Sequence, residues 1–549
     1  TTLTLDDDVA ARLQAEVRRS GKPFKVVVNE QLRASFALRR ESSAAPRFEV
    51  KPFDLGPPLP GVDLDNIGAL LDQLRSAGGA HFMSDVYKIV GGTGLAQVLI
   101  ALGTPVISRI YSESTFGVAM LFTSLSLILS IVASLRYEAA ILLPEAEADA
   151  VQVLRISLFA IALVTLLAAL GVWAAQDVIL GWLNEPELEP YLMLLPLALA
   201  GMGLYQALNW WNTRSKSYWR LSAARIISAI VTLGLQIGLG IWLHDHPSGL
   251  IIGFISGYLA GSLFLGGYIW LYDRSVRAAW DWKALWANLV RYRKFPLVDT
   301  WGSLVNAISW QIPPLLLASF FSSAQAGHYA MAYRLIQLPI SFIGIAIGQV
   351  YSQRAAEVKE DAQALIQVTH DLLRRLIGLG IFPALLLTVL GKELLVVFLG
   401  PNWDIAGTYV QILGIWMFFW FASWPLGTLA NIKNKQDTIL ILQVFLLFSR
   451  IASLVIGGAL NNDLLAIGLF SISGILLYAV YMLVCLRMID YPLQSTLSGL
   501  AQESLVAGAA VGSLAILRAA LPISPLGLVS LGGLLSAVYF WLRMRKFLA

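Results

Sequence analysis

Residues 115–144 read TFGVAMLFTSLSLILSIVASLRYEAAILLP. From Thr115 to Leu135 there is no Asp, Glu, Lys or Arg, and then Arg136 follows. A helix needs roughly 20 apolar residues to cross a bilayer. The stretch therefore predicts a transmembrane span that ends on a cation. The same signature recurs along the chain. Further apolar stretches fit spans at 87–108, 154–175, 190–209, 222–243, 248–271, 296–320, 328–351, 374–391, 406–429, 438–460, 464–486, 503–520 and 524–543. The fold class that follows is an all-α polytopic membrane protein with about 14 transmembrane helices. Composition agrees: 57% of the chain is hydrophobic and 13% is charged, against about 25% charged in soluble domains.

The basic residues fix the direction. From residue 83 onward there are 28 Lys and Arg, of which 23 fall on one side of the expected topology and three, Arg109, Lys392 and Arg518, on the other. Basic loops stay in the cytoplasm. Both termini are thus expected there, which requires an even number of spans. All 17 Trp follow residue 170, and many flank spans, as Trp210, Trp211, Trp242, Trp280, Trp282 and Trp403 do. That placement suits interfacial anchors. The one cysteine, Cys485, sits within a span, so no intrachain disulfide is possible.

Residues 1–82 have a different character, with 11 basic and 11 acidic residues and no short apolar core of the kind a secretory signal requires. Gly78-Gly79-Ala80 reads as a linker and Met83 as a natural start for the membrane part. Thr1–Leu5 alternates like a short strand. Asp6, Asp7 and Asp8 supply a helix N-cap and an acidic first turn. Gly21 ends that helix and Pro23 opens another, with Phe24, Val27, Val28 and Leu32 inward. A strand and two helices in about 38 residues cannot bury a core alone, so a self-dimer is expected. The segment resembles ribbon-helix-helix antitoxins of the VapB type, through TTLTLDDDVAARL, RRSGKPFKVVVNEQLR and a tail with FEVKPFDLG and DLDNIGALLDQL, over residues 1–74. The resemblance implies Thr2 and Thr4 facing DNA, Lys25 near a phosphate, and a tail that wraps a PIN-domain toxin. The expected pieces are a ribbon-helix-helix-like segment over 1–38 and an antitoxin-like tail and linker over 39–82.

Several chemistries are excluded. No G-x-x-x-x-G-K-[ST] occurs, so the chain carries no ATP engine of that type. His244 and His246 form H-x-H in a loop, two ligands without a third, which reads as a solvated loop rather than a metal site. No catalytic triad has supporting spacing. The chain reads as a mover of molecules, not an enzyme, and needs no cofactor; H⁺ or Na⁺ coupling stays open. A faint echo appears at a separation of 210: Tyr111-Ser112 against Phe321-Ser322, and Gly117 against Gly327. With six spans per half, both halves lie the same way up.

Residues 83–490 resemble Wzx-type oligosaccharide flippases, within the multidrug/oligosaccharidyl-lipid/polysaccharide (MOP) exporter superfamily. The stretches that carry it are VGGTGLAQVLIALGTPVISRIYS, FGVAMLFTSLSLILSIVASLRYEAAILLP and LNWWNTRSKSYWRLSAARII, with Arg136-Tyr137-Glu138 and Pro144 the most specific element. The resemblance implies a MATE/MOP-like fold: an N-lobe over 83–295, a C-lobe over 296–490, each of six helices, and two accessory helices over 491–549. It further implies transport of undecaprenyl-pyrophosphate-linked sugar units across a bacterial inner membrane, beside polysaccharide polymerase machinery.

Charges within spans mark the candidate site, because an ionisable group at mid-bilayer costs about 3 kcal/mol and usually faces protein or water. Arg334 and Arg450 are expected to line a cationic substrate cavity, with Lys88 nearer its inner mouth and Asp299 as a partner or ion site. Arg can fork onto phosphate oxygens. At the cytoplasmic mouth, Arg136 and Glu138 are two residues apart, so on a helix they face different ways and need separate partners, and Tyr137 reads as an interfacial aromatic. Arg214, Lys216 and Arg220 lie among tryptophans and read as contacts to anionic headgroups or a substrate gate. Residues 280–294 read as an amphipathic helix on the inner surface. Pro196, Pro313, Pro314, Pro339, Pro383 and Pro425 interrupt spans as kinks or hinges. Competing readings are an ion-coupled drug exporter, whose cationic cargo wants carboxylates, a lipid II flippase, and a membrane-anchored antitoxin module.

Overall fold

The computed structural model describes residues 17–18, 21–30, 92, 94–277, 279–339 and 344–548. The chain divides into two units, Thr1–Ala80 and His81–Ala549. In the first, Gly21 takes a left-handed φ of 66° and its N–H donates to the Val17 carbonyl at 3.0 Å. A helix over residues 24–30 follows Pro23. Val27 is buried and Val28 half-buried, whereas Phe24, expected inward, is exposed, and Leu32 lies outside the described residues. Lys25 is exposed, and its carbonyl accepts from Asn29 at 2.8 Å. Thr2 and Thr4 lie outside the described residues.

The second unit is a helical bundle. Its elements are α1 (Gly94–Ile110), α2 (Glu113–Ser130), α3 (Glu147–Leu183), α4 (Leu195–Arg214), α5 (Tyr218–Leu243), α6 (Pro247–Tyr272), α7 (Trp282–Arg291), α8 (Thr300–Phe320), α9 (Ser323–Pro339), α10 (Ile345–Glu357), α11 (Ala362–Leu399), α12 (Asp404–Ser423), α13 (Gln436–Ala459), α14 (Asp463–Arg487), α15 (Leu493–Ala520) and α16 (Pro525–Leu548). Most of the expected spans fall on helix over their described residues, but the span expected over 115–135 leaves the helix at Ser130 and the one expected over 190–209 is interrupted at 193–194. Among those residues ten helices are long and apolar enough to cross a membrane, and eleven if Pro186–Leu192 and Leu195–Arg214, bent by 57°, count as one. α8 falls short in apolarity because it carries Asn306, Ser309 and Gln311.

Local signals set the helix ends. The Ser112 hydroxyl caps α2 from an extended backbone, with Glu113 in the first turn. The Asp281 carboxylate caps α7 and the Asp361 carboxylate caps α11, each accepting two backbone N–H groups. Such caps satisfy donors that a helix start leaves unpaired. α3 and α11 run to 37 and 38 residues. At 1.5 Å per residue each exceeds roughly 50 Å, longer than a hydrocarbon core of about 30 Å.

Packing divides the unit into α1–α6, with α7 lying on α3, and α8–α14. α2 packs against both α8 and α9 and joins the two sets. α15 and α16 pack on α11. There Arg518 pairs with Glu393 at 2.7 Å, Tyr539 donates to the Gly378 carbonyl at 2.7 Å, and its ring stacks on Phe382. α7 is amphipathic as expected: Trp282 and Trp286 are exposed, while Asn288 is buried and donates to Asp149 at 3.0 Å. The prolines behave unequally. Pro196 starts α4, Pro313, Pro314 and Pro383 sit inside helices, Pro339 ends α9, and Pro425 lies in the short 3₁₀ turn where α12 stops.

Candidate transport cavity

A cavity of about 560 Å³ separates the two helix sets. Leu127, Ser130 and Ile131 of α2 and Gln206 of α4 form one wall. Asn306, Ser309, Trp310 and Gln311 of α8, Tyr333 and Gln337 of α9, Trp420 and Ser423 of α12, Gln443, Leu446 and Arg450 of α13, and Tyr478 and Tyr481 of α14 form the other. The spacing explains the faces: Leu127, Ser130 and Ile131 follow i, i+3, i+4, and Gln443, Leu446 and Arg450 follow i, i+3, i+7, each one helix stripe. Most of these residues sit in the halves of their helices nearer the basic loops; Gln311 and Arg450 lie just past mid-helix. Among the described lining residues there is no Asp, Glu or Lys, and one Arg.

That arginine is locked. Arg450 is 3% exposed. Its Nη1 donates to the Ser309 carbonyl at 2.7 Å and to the Ser309 hydroxyl at 2.8 Å, and its Nη2 donates to the Tyr478 hydroxyl at 3.0 Å. The guanidinium lies 4.1 Å from the Trp310 ring centroid. Neutral oxygens and an aromatic face together stabilise the cation without a carboxylate. Around it stands an aromatic wall: Trp310 lies 4.7 Å from Trp420, and Tyr333 stacks on Trp420 at 5.9 Å. Aromatic faces beside amide and hydroxyl groups suit a ligand with apolar ring faces and polar edges.

The expected cationic cavity is thus corrected. Arg334 does not share the chamber with Arg450; it lines a separate cavity between α1, α9 and α11. Asp299 partners neither of them. It pairs with Arg136 at 2.8 Å, from the start of the second helix set to the end of the first. Lys88 lies outside the described residues.

The basic end is organised by a backbone break. Beyond α2, Leu135 and Arg136 take left-handed φ of 52° and 62°, and a 3₁₀ segment follows over Tyr137–Leu142. The break overturns the expectation that Arg136 and Glu138 face apart: off a regular helix they pair at 3.2 Å. Glu138 is 1% exposed and also takes a hydrogen bond from the Ser134 hydroxyl. Burial raises its carboxyl above the usual carboxylate range, against the opposing pull of Ser134 and Arg136. Tyr137 is not an interfacial aromatic; it is buried, and its hydroxyl donates to the Leu289 carbonyl of α7 at 3.1 Å. Arg214 donates to the carbonyls of Ile141, Leu142 and Glu145 and so holds the 3₁₀ segment. Arg220 pairs with Asp273 at 3.1 Å, which also accepts from the Trp211 indole at 2.8 Å. Lys216 alone of this trio is exposed, at a left-handed turn. Arg155 is buried under Trp280 and donates to the Val276 and Ala279 carbonyls.

At the opposite end α2 and α9 meet backbone to backbone. A Cβ on Gly117 would overlap the Ser323 backbone, and one on Gly327 would overlap the Glu113 backbone. A shift of 210 residues, which takes 117 to 327 and 113 to 323, exchanges the two contacts, so the echo in the sequence is a two-fold helix crossing of α2 on α9. Beside it the Trp403 indole donates to the Ser108 carbonyl at 3.1 Å, and the Ser108 hydroxyl to the Leu399 carbonyl at 3.0 Å. His246 is a structural residue, 3.0 Å from the Tyr191 hydroxyl, and among the described residues no cluster of His, Cys, Asp or Glu suits a metal. Reasoning from charges missed the cavity itself. Its signal was the uncharged polar set, Gln206, Asn306, Gln311, Gln337 and Gln443, placed inside apolar spans.

Comparison with known proteins agrees with this geometry. The lipopolysaccharide biosynthesis protein WzxC of Escherichia coli (strain K12) is 25% identical over 297 residues, 53% of this chain and 58% of that protein. The chain thus spans less than two thirds of the length of this relative. Antitoxin VapB33 of Mycobacterium tuberculosis (strain ATCC 25618 / H37Rv) is 34% identical over 77 residues, 14% of this chain and 84% of the antitoxin. The lipid II flippase MurJ, in an inward closed conformation, superposes with a TM-score of 0.66 at 14% identity, covering 83% of this chain and 99% of its own, which establishes a shared fold. The family profile described as "Polysaccharide biosynthesis protein" matches residues 106–407, more than half the chain. With its helix sets arranged around one polar cavity, the chain belongs to the polysaccharide biosynthesis protein family, built on a MOP exporter fold and carrying a segment similar to a VapB antitoxin.

Proposed function

We propose that the chain is a flippase for a lipid-linked saccharide, working by alternating access with the basic loops in the cytoplasm of a bacterial inner membrane. The observation that carries the reading is the cavity: Tyr333 stacked on Trp420, with Trp310 tilted against them, beside Gln311, Gln337 and Gln443, with no acid among its described lining residues. Sugars offer apolar ring faces and hydroxyl edges, and this wall complements both. A cationic drug would require a carboxylate that this lining does not offer. The saccharide rides on an undecaprenyl pyrophosphate, and the product feeds polysaccharide polymerase machinery. Closure by the Gly117–Gly327 crossing, with the cavity set toward the basic loops, supports loading from the cytoplasmic side.

The test is complementation of a bacterium lacking its own O-unit flippase. The full chain restores surface glycan, and Trp420→Ala at equal membrane abundance does not. Restoration of a strain depleted of its lipid II flippase, and of no glycan strain, would instead favour the lipid II reading. Resistance to cationic drugs without glycan rescue would overturn saccharide transport.

A further inference from the structure

One buried titratable side chain takes no part in the transport cavity. His328 lies one residue past Gly327, at the crossing of α2 on α9. It is 5% exposed, and its Nδ1 has no hydrogen-bond partner among the described residues. Leaving a buried polar atom unpaired is costly, and that cost disappears once water reaches the ring.

The surroundings of the ring come from several elements. α2 brings Glu113, whose carbonyl faces Gly327 across the crossing. The turn before α12 brings Trp403, with its ring centroid 5.9 Å from that of His328. Asp404 follows, paired with Lys392 of α11 at 3.3 Å. α12 brings Tyr409, 6.4 Å from His328, whose hydroxyl donates at 2.6 Å to Asp463 at the start of α14. α8, also packed on α9, carries no Asp, Glu, Lys, Arg or His. α9 itself adds Tyr329, stacked on Tyr333, and Arg334 at the second cavity. Carboxylates from three elements, Glu113, Asp404 and Asp463, thus bear on one ring, with Lys392 offsetting one of them. The ring also packs on the seam between the helix sets, because the Trp403 indole beside it donates to the Ser108 carbonyl at 3.1 Å.

We propose that His328 is a proton-binding site of this crossing, neutral while α2 and α9 touch and charged when they part. In the closed crossing a charge on the ring would be buried with no acceptor at Nδ1, which disfavours it. Parting the helices admits water, the ring takes one proton from it, and the three acids then favour the imidazolium. Closing returns the proton to solvent. Acid therefore favours the parted state, because protons shift the balance toward the state that binds them. The site does not rest on the flippase reading; only its use in transport does.

The experiment measures how fast a thiol reagent labels the crossing in the purified full chain in nanodiscs, where both faces are open and no cargo is present. The reporter is Ser323→Cys, at a residue buried in the crossing, in a chain that also carries Cys485→Ser. Rates are divided by those of an exposed reporter, Ser524→Cys, to remove the effect of pH on the thiol. Between pH 7.5 and 5.5 the corrected rate rises at least threefold, and by no more than about a hundredfold, the limit for one proton over two pH units. His328→Gln and His328→Asn, which cannot take the proton, flatten the profile. Asp463→Asn, which removes an acid that favours the imidazolium, moves the rise to lower pH. Glu138→Gln, at the other end of the bundle, leaves the rise in place. A flat or inverted profile in the chain with His328 intact would overturn the site. So would a rise that persists in either His328 variant or disappears in Glu138→Gln. Failure of glycan rescue with the profile intact would sink the flippase reading and leave the proton site standing.

Discussion

At position 450 the chain keeps a charge within the bilayer, and among the described residues no carboxylate matches it. Ser309, Tyr478 and Trp310 hold the guanidinium in one plane. Because a buried charge rarely adds net stability, Arg450→Met is expected to melt within a few degrees of wild type while glycan transport falls at least tenfold. Arg450→Lys should not rescue, since an ammonium cannot stack flat on Trp310 while reaching both oxygens. Thermal melts in detergent and vesicle transport check the two halves of this expectation. Glu138 makes a pH-dependent case. Its carboxyl is raised by burial, so the folded state holds that proton more tightly than the unfolded chain. The stability it contributes is full below the unfolded value, about 4.3, and is lost as pH rises through the higher folded value. Glu138→Gln should therefore melt higher than wild type at pH 7.5, and the gap should shrink toward pH 4.5. At this scale the sequence was half legible. Arg450 stood out as a charge in an apolar run. The pairing of Arg136 with Glu138 did not, because it depends on a left-handed backbone at two non-glycine residues that no local pattern marks.

Among the elements, the joint between α2 and the 3₁₀ segment and the crossing of α2 on α9 act at opposite ends of the bundle. The Arg136–Asp299 pair bridges the helix sets at the basic end. If the pair closes that end, Arg136→Asp and Asp299→Arg each impair transport, and the double swap recovers most of it. Recovery read as surface glycan at matched abundance checks this; two additive losses would count against a gate. At the crossing, Gly327→Ala cannot be accommodated without parting two backbones. Its expected effect is greater labelling of Ser112→Cys by a membrane-impermeant thiol reagent in cells, with buried Cys485 contributing little background. Helix positions were legible because apolar length is a local property. The crossing was half legible, since the 210-residue echo named both glycines but not that they would meet. The aromatic and amide wall was illegible, as its members come from α8, α9, α12, α13 and α14 and converge only after packing.

For the whole molecule, two units of unlike composition share one chain. A chain starting at His81 is expected to insert and transport as the full chain does, measured by glycan rescue per inserted copy. A deficit confined to the shortened chain would assign work to the first unit. The charge asymmetry of the loops predicts an orientation without any knowledge of packing, whereas the split into two cavities required three dimensions.

The glycine crossing has a mechanical consequence. Two rods held at backbone contact near one end are a lever with its fulcrum far from its load. Over a hydrocarbon core of roughly 30 Å, a rotation of about 10° at the fulcrum parts the far ends by roughly 5 Å, about the width of a sugar ring. On the alternating-access reading, the contact at one face would set the gain of the other, and a residue larger than glycine at 117 or 327 would lift the pivot and shorten the stroke.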